Sequence, residues 1–462
     1  MTDATAPAEV RPVFSGAYKG VVLALLLAAY TFNFIDRTII ATIGPKIRED
    51  LHLTSTQIGL LGGLYFALLY TLLGIPIARF AERFNRVSII AAALVVWSGF
   101  TALCGTAINF TVLAAYRFGV GVGEAGCSPP SHSLISDYYE PKKRASALSI
   151  YSFGIPLGSM IGAIAGGWLA ENFSWRTAFI IVGLPGVLLA ALIKLVIKEP
   201  PRGHSEPPER PALPDDVTAH AVDAPEGHWL AREFSELWAV TKVLFGKWPV
   251  LHMVLGVTIC SFGGYGAGQF VPQYFRAAFG LDLAQVGLIT GLVGGFSSGL
   301  GTLVGGFLSD RLSRRSPRWY ALTPAIGLTV ATPIYILAYS QSAWTAAALI
   351  LLVPGIFHYT YLGPTFGVVQ NMVPTRRRAT ATALMFFFLN LIALGGGPPF
   401  TGWLIDQFAE YNINHAGSGV LASLAGLFGA HGPASFVTAC PGGIAPAGAS
   451  AETAAMCKAT LA

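Results

Sequence analysis

The sequence predicts an all-α polytopic membrane protein made of two helical bundles, and three observations carry that expectation. Charged residues are 11% of the chain and apolar types 53%, against about 25% charged in ordinary soluble domains, which fits burial in lipid rather than around one aqueous core. Apolar runs of around 20 residues recur along the chain, each long enough to cross a hydrocarbon layer about 30 Å thick. Two loop signals also repeat at nearly one offset. Glu82-Arg83-Phe84-Asn85-Arg86 returns as Asp310-Arg311-Leu312-Ser313-Arg314, and Pro141-Lys142-Lys143-Arg144 returns as Pro374-Thr375-Arg376-Arg377-Arg378. Such repetition argues for duplicated halves related by an axis along the membrane normal.

Taken in order, residues 1–18 are a short tail whose Asp3, Glu9 and Arg11 lack an adjacent cleavage pattern, so the first apolar run is expected to serve as the insertion signal. Spans are expected near 19–43, 56–80, 87–107, 110–136, 145–169 and 174–196, making a first bundle over 19–197. Residues 198–248 read as a linker. Its Pro/Glu/Asp-rich start cannot bury enough apolar surface to fold alone. From Trp229 to Trp248, apolar residues at spacings of three to five suggest an amphipathic helix at the membrane interface. The second bundle, 249–406, is expected to hold spans near 249–276, 284–308, 318–340, 343–372 and 379–405. Residues 407–462 are expected to be a non-cytoplasmic Gly/Ala-rich tail or loop rather than a twelfth span, because Gly417 to Gly429 is short and rich in small residues.

Orientation follows from short basic connections. Arg79, Arg83 and Arg86 follow the second span, Lys142, Lys143 and Arg144 the fourth, Arg311, Arg314, Arg315 and Arg318 the eighth, and Arg376, Arg377 and Arg378 the tenth. The positive-inside rule makes these loops and the N-terminus cytoplasmic, in a multi-pass protein of the cell inner membrane. The net charge of +5 therefore reflects topology, and no nucleic-acid partner is expected. Cys440 and Cys457 share the non-cytoplasmic tail, where an oxidising setting would permit a disulfide. No cysteine, histidine or acidic spacing suggests a metal, and no Gly-rich loop with Lys and Ser/Thr suggests nucleotide-driven pumping. An enzymatic constellation is not expected either, since Ser131-His132-Ser133 on one helix cannot point at one site.

The acidic-Arg-x-small-Arg loop, its copy, Arg117-x-x-x-Gly121, and the glycine-rich Gly154-x-Pro156-x-Gly158 with Gly162 and Gly166-Gly167 resemble the major facilitator superfamily. More narrowly, Asn33-Phe34-Ile35-Asp36-Arg37, Gln57-Ile58-Gly59-Leu60-Leu61, Gly74-Ile75-Pro76-Ile77 and Gly121-x-Gly123-Glu124-Ala125 look like its spinster branch. The resemblance implies two six-helix bundles with pseudo-two-fold symmetry, of which eleven spans are visible here. It also implies an alternating-access transporter, and in the spinster branch sphingolipid or lysophospholipid substrates, some moved with protons. Two departures stand out. Ala78 and Glu82 replace the family's usual Gly and Asp, whereas Gly306 with Asp310 keeps them, and the expected twelfth helix is missing.

Deep charges cluster in the first half at Asp36, Arg37, Arg117 and Glu124. A charge at the bilayer centre costs roughly 3 kcal/mol on insertion scales, so such residues mark substrate or ion pathways by default. Helix direction puts Asp36 and Arg117 at similar depth, which allows them to pair, while Arg37 points about 100° away and need not enter the same site. Glu124 lies two turns deeper on nearly the face of Arg117, flanked by Gly121, Gly123 and Gly126, and is the leading proton-site candidate because loss of water penalises an ionised carboxylate. Arg117 is expected to hold Glu124 in one conformation and release it in another, or to take an anionic head group. A fixed Asp36-Arg117-Glu124 network that only orders packing is the alternative.

The second half carries no comparable carboxylate. Its deep polar residues are Tyr265, Gln269, His358, Tyr359 and Asn390; of these Tyr265, Gln269, His358 and Asn390, with Arg37 and Arg117 of the first half, are the candidates for substrate contact. A charged half facing an apolar half suits an amphiphile, although the apolar half could instead face lipid. Glu82, Arg83 and Arg86, with Asp310, Arg311 and Arg314, are candidate gate latches, with topology-setting charge as the other reading. Gly154, Pro156 and Gly158 would let the fifth span bend or pack closely. The functional expectation is a monomeric, proton-coupled secondary transporter of an amphiphilic organic anion, needing no cofactor. Proton-independent facilitation of a small solute, or a non-transporting scaffold or receptor, are the alternatives.

Overall fold

The structure is a computed structural model that describes residues 14–140, 147–148, 150–202, 204–205, 238, 241–242, 245–246, 248–362, 364–365, 368 and 384–414. Among these residues there is helix and no strand. The first half contains α1 (Gly16–Leu51), α2 (Ser55–Gly62), α3 (Leu64–Arg83), α4 (Arg86–Cys104), α5 (Phe110–Glu124), α6 (Ser128–Tyr138), α7 (Gly154–Asn172) and α8 (Trp175–Val196). The second contains α9 (Trp248–Phe279), α10 (Leu283–Ser313), α11 (Trp319–Tyr339), α12 (Trp344–His358) and α13 (Gly395–Asn414), which follows a π-helical turn at Leu389–Leu394.

Ten stretches among the described residues are long and apolar enough to cross a membrane. The expected span over 110–136 is not among them, because it is broken into α5 and α6. Pro129 and Pro130 explain the break. Neither has an N–H to continue the ladder, and each ring would clash with the carbonyl four residues back, so the adjacent pair favours the first turn of a new helix, where it stands here. The second span breaks as well, at Gly62-Gly63, where Gly63 leaves helical geometry at φ −113° and ψ −94°. By contrast, α1 runs 36 residues, beyond the expected 19–43, from a Ser15 N-cap to His52 in the left-handed region. The linker's apolar stretch and the tail beyond 414 lie almost wholly outside the described residues, and so do Cys440 and Cys457.

Successive spans alternate in direction, so Arg83, Arg86, Arg314, Arg315 and Arg318 share one end of the molecule, here the basic end. At that end and towards the middle, Leu26, Phe66, Trp97, Tyr138 and Tyr151 form the core of the first half. Towards the opposite end a second core joins the halves, with Ile39, Ile43 and Phe179 packed with Phe270 and Leu283. Two helix pairs make this junction. A Cβ on Gly287 of α10 would lie 2.3 Å from the Ala163 carbonyl of α7, and one on Gly59 of α2 would lie 2.3 Å from the Pro398 carbonyl of α13. Only glycine permits backbones that close, which is how small residues cement helices in lipid.

The hydrogen bonds found between the halves among the described residues all lie at this opposite end. Asp406 accepts from the Ser55 and Thr56 amides at 2.9 and 2.8 Å, Arg276 reaches Glu49 at 3.0 Å, and the Leu283 amide donates to Glu171 at 3.1 Å.

Candidate functional site

Asp36 and Arg117 meet in the first half. Arg117 Nη1 lies 3.1 Å from one Asp36 carboxylate oxygen, and the Thr101 hydroxyl donates to the other at 2.5 Å. Both side chains are buried. The break in the second span supplies the remaining partner. The last carbonyls of a helix have no intrahelical donor, and Arg117 Nε donates to the freed Leu61 carbonyl at 3.3 Å. This triangle pins α1, α4 and α5 to the end of α2.

Glu124 does not join that network through Arg117, contrary to expectation. Its Oε2 takes the Arg37 Nε–H at 2.7 Å. The reason is the lean of side chains towards their own helix N-terminus. On α1 that direction is the basic end, so Arg37 tilts down to the depth where antiparallel α5 presents Glu124, two turns past Arg117. Rotation around α1 separates Arg37 from Asp36, yet both find partners on α5. The Arg37 guanidinium lies 5.1, 4.8 and 4.4 Å from the ring centres of Phe34, Phe66 and Tyr70, a stacking that suits a planar cation. Glu124 is fully buried, whereas the Arg37 side chain keeps 15% of its exposure. Glu124 Oε1 and both amide atoms of Asn33 have no hydrogen-bond partner among the described residues. Asn33 and Tyr70 were not singled out as site residues in the sequence, although Asn33 stands one helical turn from Arg37.

From the second half, Tyr265 is exposed and lies within electrostatic reach of Arg37 and Tyr70. The fold thus brings this expected substrate residue near the charged pair across the interface. Gln269 packs against Gly62 at the break in the second span, and its Nε2 has no partner among the described residues. His358 stands edge-on to Tyr335, Tyr359 and Tyr361, and its Nε2, also without a partner among the described residues, faces Gly264. Asn390 is buried in the π-helical turn. A π-helical turn is a common marker of functional positions.

The gate candidates divide. The side chains of Glu82 and Asp310 lie outside the described residues, and Arg83, Arg311 and Arg314 are exposed. Arg86 is wholly buried and works within the first half rather than between halves. Its guanidinium binds Asp137, reaches Glu199 at 2.6 Å and Ser133 at 2.7 Å, and donates to the Pro200 carbonyl at 3.1 Å. Asp137 and Glu199 escaped sequence reading because they lie far along the chain from Arg86, on other elements. Gly154 and Gly158 pack on α1, where a Cβ on Gly158 would lie 2.3 Å from the Thr31 carbonyl, while Pro156 lies beside Gly295 and Gly299 of α10. Helix α7 begins at Gly154, directly after a turn at Phe153 that interrupts the fifth span. Among the described residues, Cys104, Cys127 and Cys260 are free and no group could hold a metal ion.

This geometry has close parallels. The family model of the Major Facilitator Superfamily matches residues 26–398. An MFS-type efflux pump of Mycolicibacterium smegmatis is 32% identical over 380 residues, 82% of this chain and 83% of that protein. A hexuronate transporter of Bacillus subtilis is 26% identical over 428 residues, covering 89% of this chain and 94% of the relative. A crystal structure of a bacterial homologue of the human lysosomal transporter Spinster, inward-facing and unoccupied, superposes with a TM-score of 0.79 at 32% identity, over 97% of this chain and 92% of that one. With its broken spans, paired buried charges and repeated halves, this chain belongs to the major facilitator superfamily, as a spinster-like transporter.

Proposed function

We propose that this transporter couples protons to the movement of an amphiphilic organic anion by alternating access, in an inner membrane with the basic end cytoplasmic. The observation that carries the reading is the Arg37-Glu124 pair, a fully buried carboxylate bound to a cation that stays partly exposed. Charge counting gives the coupling. With Glu124 ionised the pair is neutral, and an incoming carboxylate or phosphate at Arg37 would leave a net buried negative charge. A proton on Glu124 removes that excess and frees the Arg37 Nε–H for the substrate. Proton and anion therefore favour each other's binding, a reciprocal linkage. The rings of Phe34 and Phe66 and the sparsely charged second half supply an apolar setting for the substrate's tail. The hexuronate relative fits an anionic head, and the Spinster-like neighbour fits a lipid-like body.

On this reading the structure is closed to the outside, since the inter-half hydrogen bonds found among the described residues lie at the end opposite the arginine-rich one. Proteoliposome uptake of radiolabelled lysophosphatidic acid and of glucuronate, each with and without an imposed pH gradient, tests the proposal. Gradient-driven uptake of either anion that becomes gradient-insensitive in Glu124→Gln is the expected result. Gradient-driven uptake undiminished in Glu124→Gln would refute coupling through this residue, and gradient-insensitive uptake by the unmodified protein would favour a facilitator.

A further inference from the structure

Helices α2 and α10 begin alike. Each opens with a capping box, Thr54 with Gln57 and Asp282 with Gln285, so each pairs its N-cap amide and its third helical amide internally. The interval between Thr54 and Asp282 equals that between Glu82 and Asp310, which makes the two helix starts equivalent positions of the repeated halves. A capping box leaves the first and second helical amides without a partner. In α2 the other half satisfies both of these amides, and in α10 it satisfies the first. Asp406, near the end of α13, accepts from the Ser55 and Thr56 amides and from the Thr56 hydroxyl at 2.7 Å. Glu171, near the end of α7, accepts from the Leu283 amide. Glu171 and Asp406 are separated by nearly the same interval as the helices they cap, so the two contacts are copies of one device related by the pseudo-two-fold axis. Each sets a negative charge at the positive end of a helix belonging to the other half.

We infer that Asp406 and Glu171 are paired latches of the outer gate, each capping a helix N-terminus of the opposite half while the outside is closed and releasing it when the outside opens. This assigns them a gating role that Asp36, Arg37, Arg117 and Glu124, all deeper, do not have. The two are unequal. Asp406 is half-buried with three bonds, whereas Glu171 is exposed with one. The Arg276-Glu49 pair adds a further contact at this end, so neither latch alone holds the gate. The inference rests on the alternating-access reading, and its distance measurements need no substrate.

Spin labels on Ile108→Cys and Ser342→Cys would report the outer distance between halves, both positions being exposed at that end. Cys260, Cys440 and Cys457 would be replaced by serine, while the fully buried Cys104 and Cys127 stay. Pulsed electron-electron resonance in nanodiscs should show a longer-distance population in Asp406→Ala, with the open-to-closed ratio raised about fivefold, the usual worth of a helix N-cap. Glu171→Ala should raise it about twofold, the low end of that range, and the double variant about tenfold if the latches are independent. Asp406→Asn, which keeps an acceptor and loses the charge, should fall between. Where an alanine variant fails to fold, Asp406→Asn and Glu171→Gln carry the test. Distances unchanged or shortened in the folded variants would overturn the inference. Unchanged distances alongside intact gradient-driven uptake would sink the latch alone, whereas absent uptake in the unmodified protein would sink the transport proposal.

Discussion

Replacing Asp36 by Asn should destabilise the protein more than any other single isosteric change in the first half. Asp36 and Arg117 are nearly inaccessible, and their closest atoms are 3.1 Å apart. Taking charge centres about 4 Å apart and an effective dielectric of about 20, the lost attraction is about 4 kcal/mol. Removing one partner of a buried pair typically costs about 3–5 kcal/mol, because it strands the other charge. The stranded guanidinium would keep only the Leu61 carbonyl and the face of Phe66, 5.4 Å from its ring centre. The assay is thermal unfolding in one detergent for Asp36→Asn, Arg117→Gln and the double variant. Both singles should lose many degrees, and the double should be more stable than their summed losses predict, since it strands no charge. An Asp36→Asn protein melting within a degree or two of the unmodified one, or a strictly additive double, would refute the argument.

Arg37→Lys should raise the half-saturating anion concentration in proteoliposome uptake by roughly tenfold, because a point charge loses both the Nε–H geometry and the stacking on Tyr70 and Phe66. Arg86→Ala should cost about 3–5 kcal/mol by stranding Asp137 and Glu199, and Arg86→Lys should recover only part of it; thermal unfolding measures both. Gly287→Val should force α7 and α10 apart, since its Cβ would lie 2.3 Å from the Ala163 carbonyl. The expected signature is a longer outer distance between labels at 108 and 342. Glu124→Gln should leave uptake insensitive to an imposed pH gradient while the protein remains folded.

Hydropathy and the repeated basic loops exposed the spans because lipid demands long uninterrupted apolar helices. The Asp36-Arg117 pair was legible for a related reason: depth along two antiparallel helices is simple arithmetic. The Arg37-Glu124 pairing is less legible, because rotation around a helix says where a side chain leaves the axis, not how far a long one leans along it. The break in the fourth span is written in Pro129 and Pro130, and that in the second in Gly62-Gly63, where the apolar residues on either side mask it. Arg86 looked like a loop charge because its partners, Asp137 and Glu199, come near only when α4, α6 and the segment after α8 have packed. The carboxylates at Glu171 and Asp406 were equally silent, since a cap supplied by the other half leaves no local pattern.

The break at Gly63 also decides where the molecule divides. Helix α2 belongs by chain order to the first half, yet it packs chiefly against α13 of the second. The plane along which the halves slide thus cuts through a span rather than through a loop. In the proposed cycle, opening the outer end peels α2 from α13, and α2 then swings about Gly63. That swing is not silent inside the membrane. The Leu61 carbonyl sits at the root of the arm and holds Arg117 by a single hydrogen bond, so its motion draws directly on the cation that neutralises Asp36. One bond at the pivot makes the outer surface and the buried charges parts of a single lever.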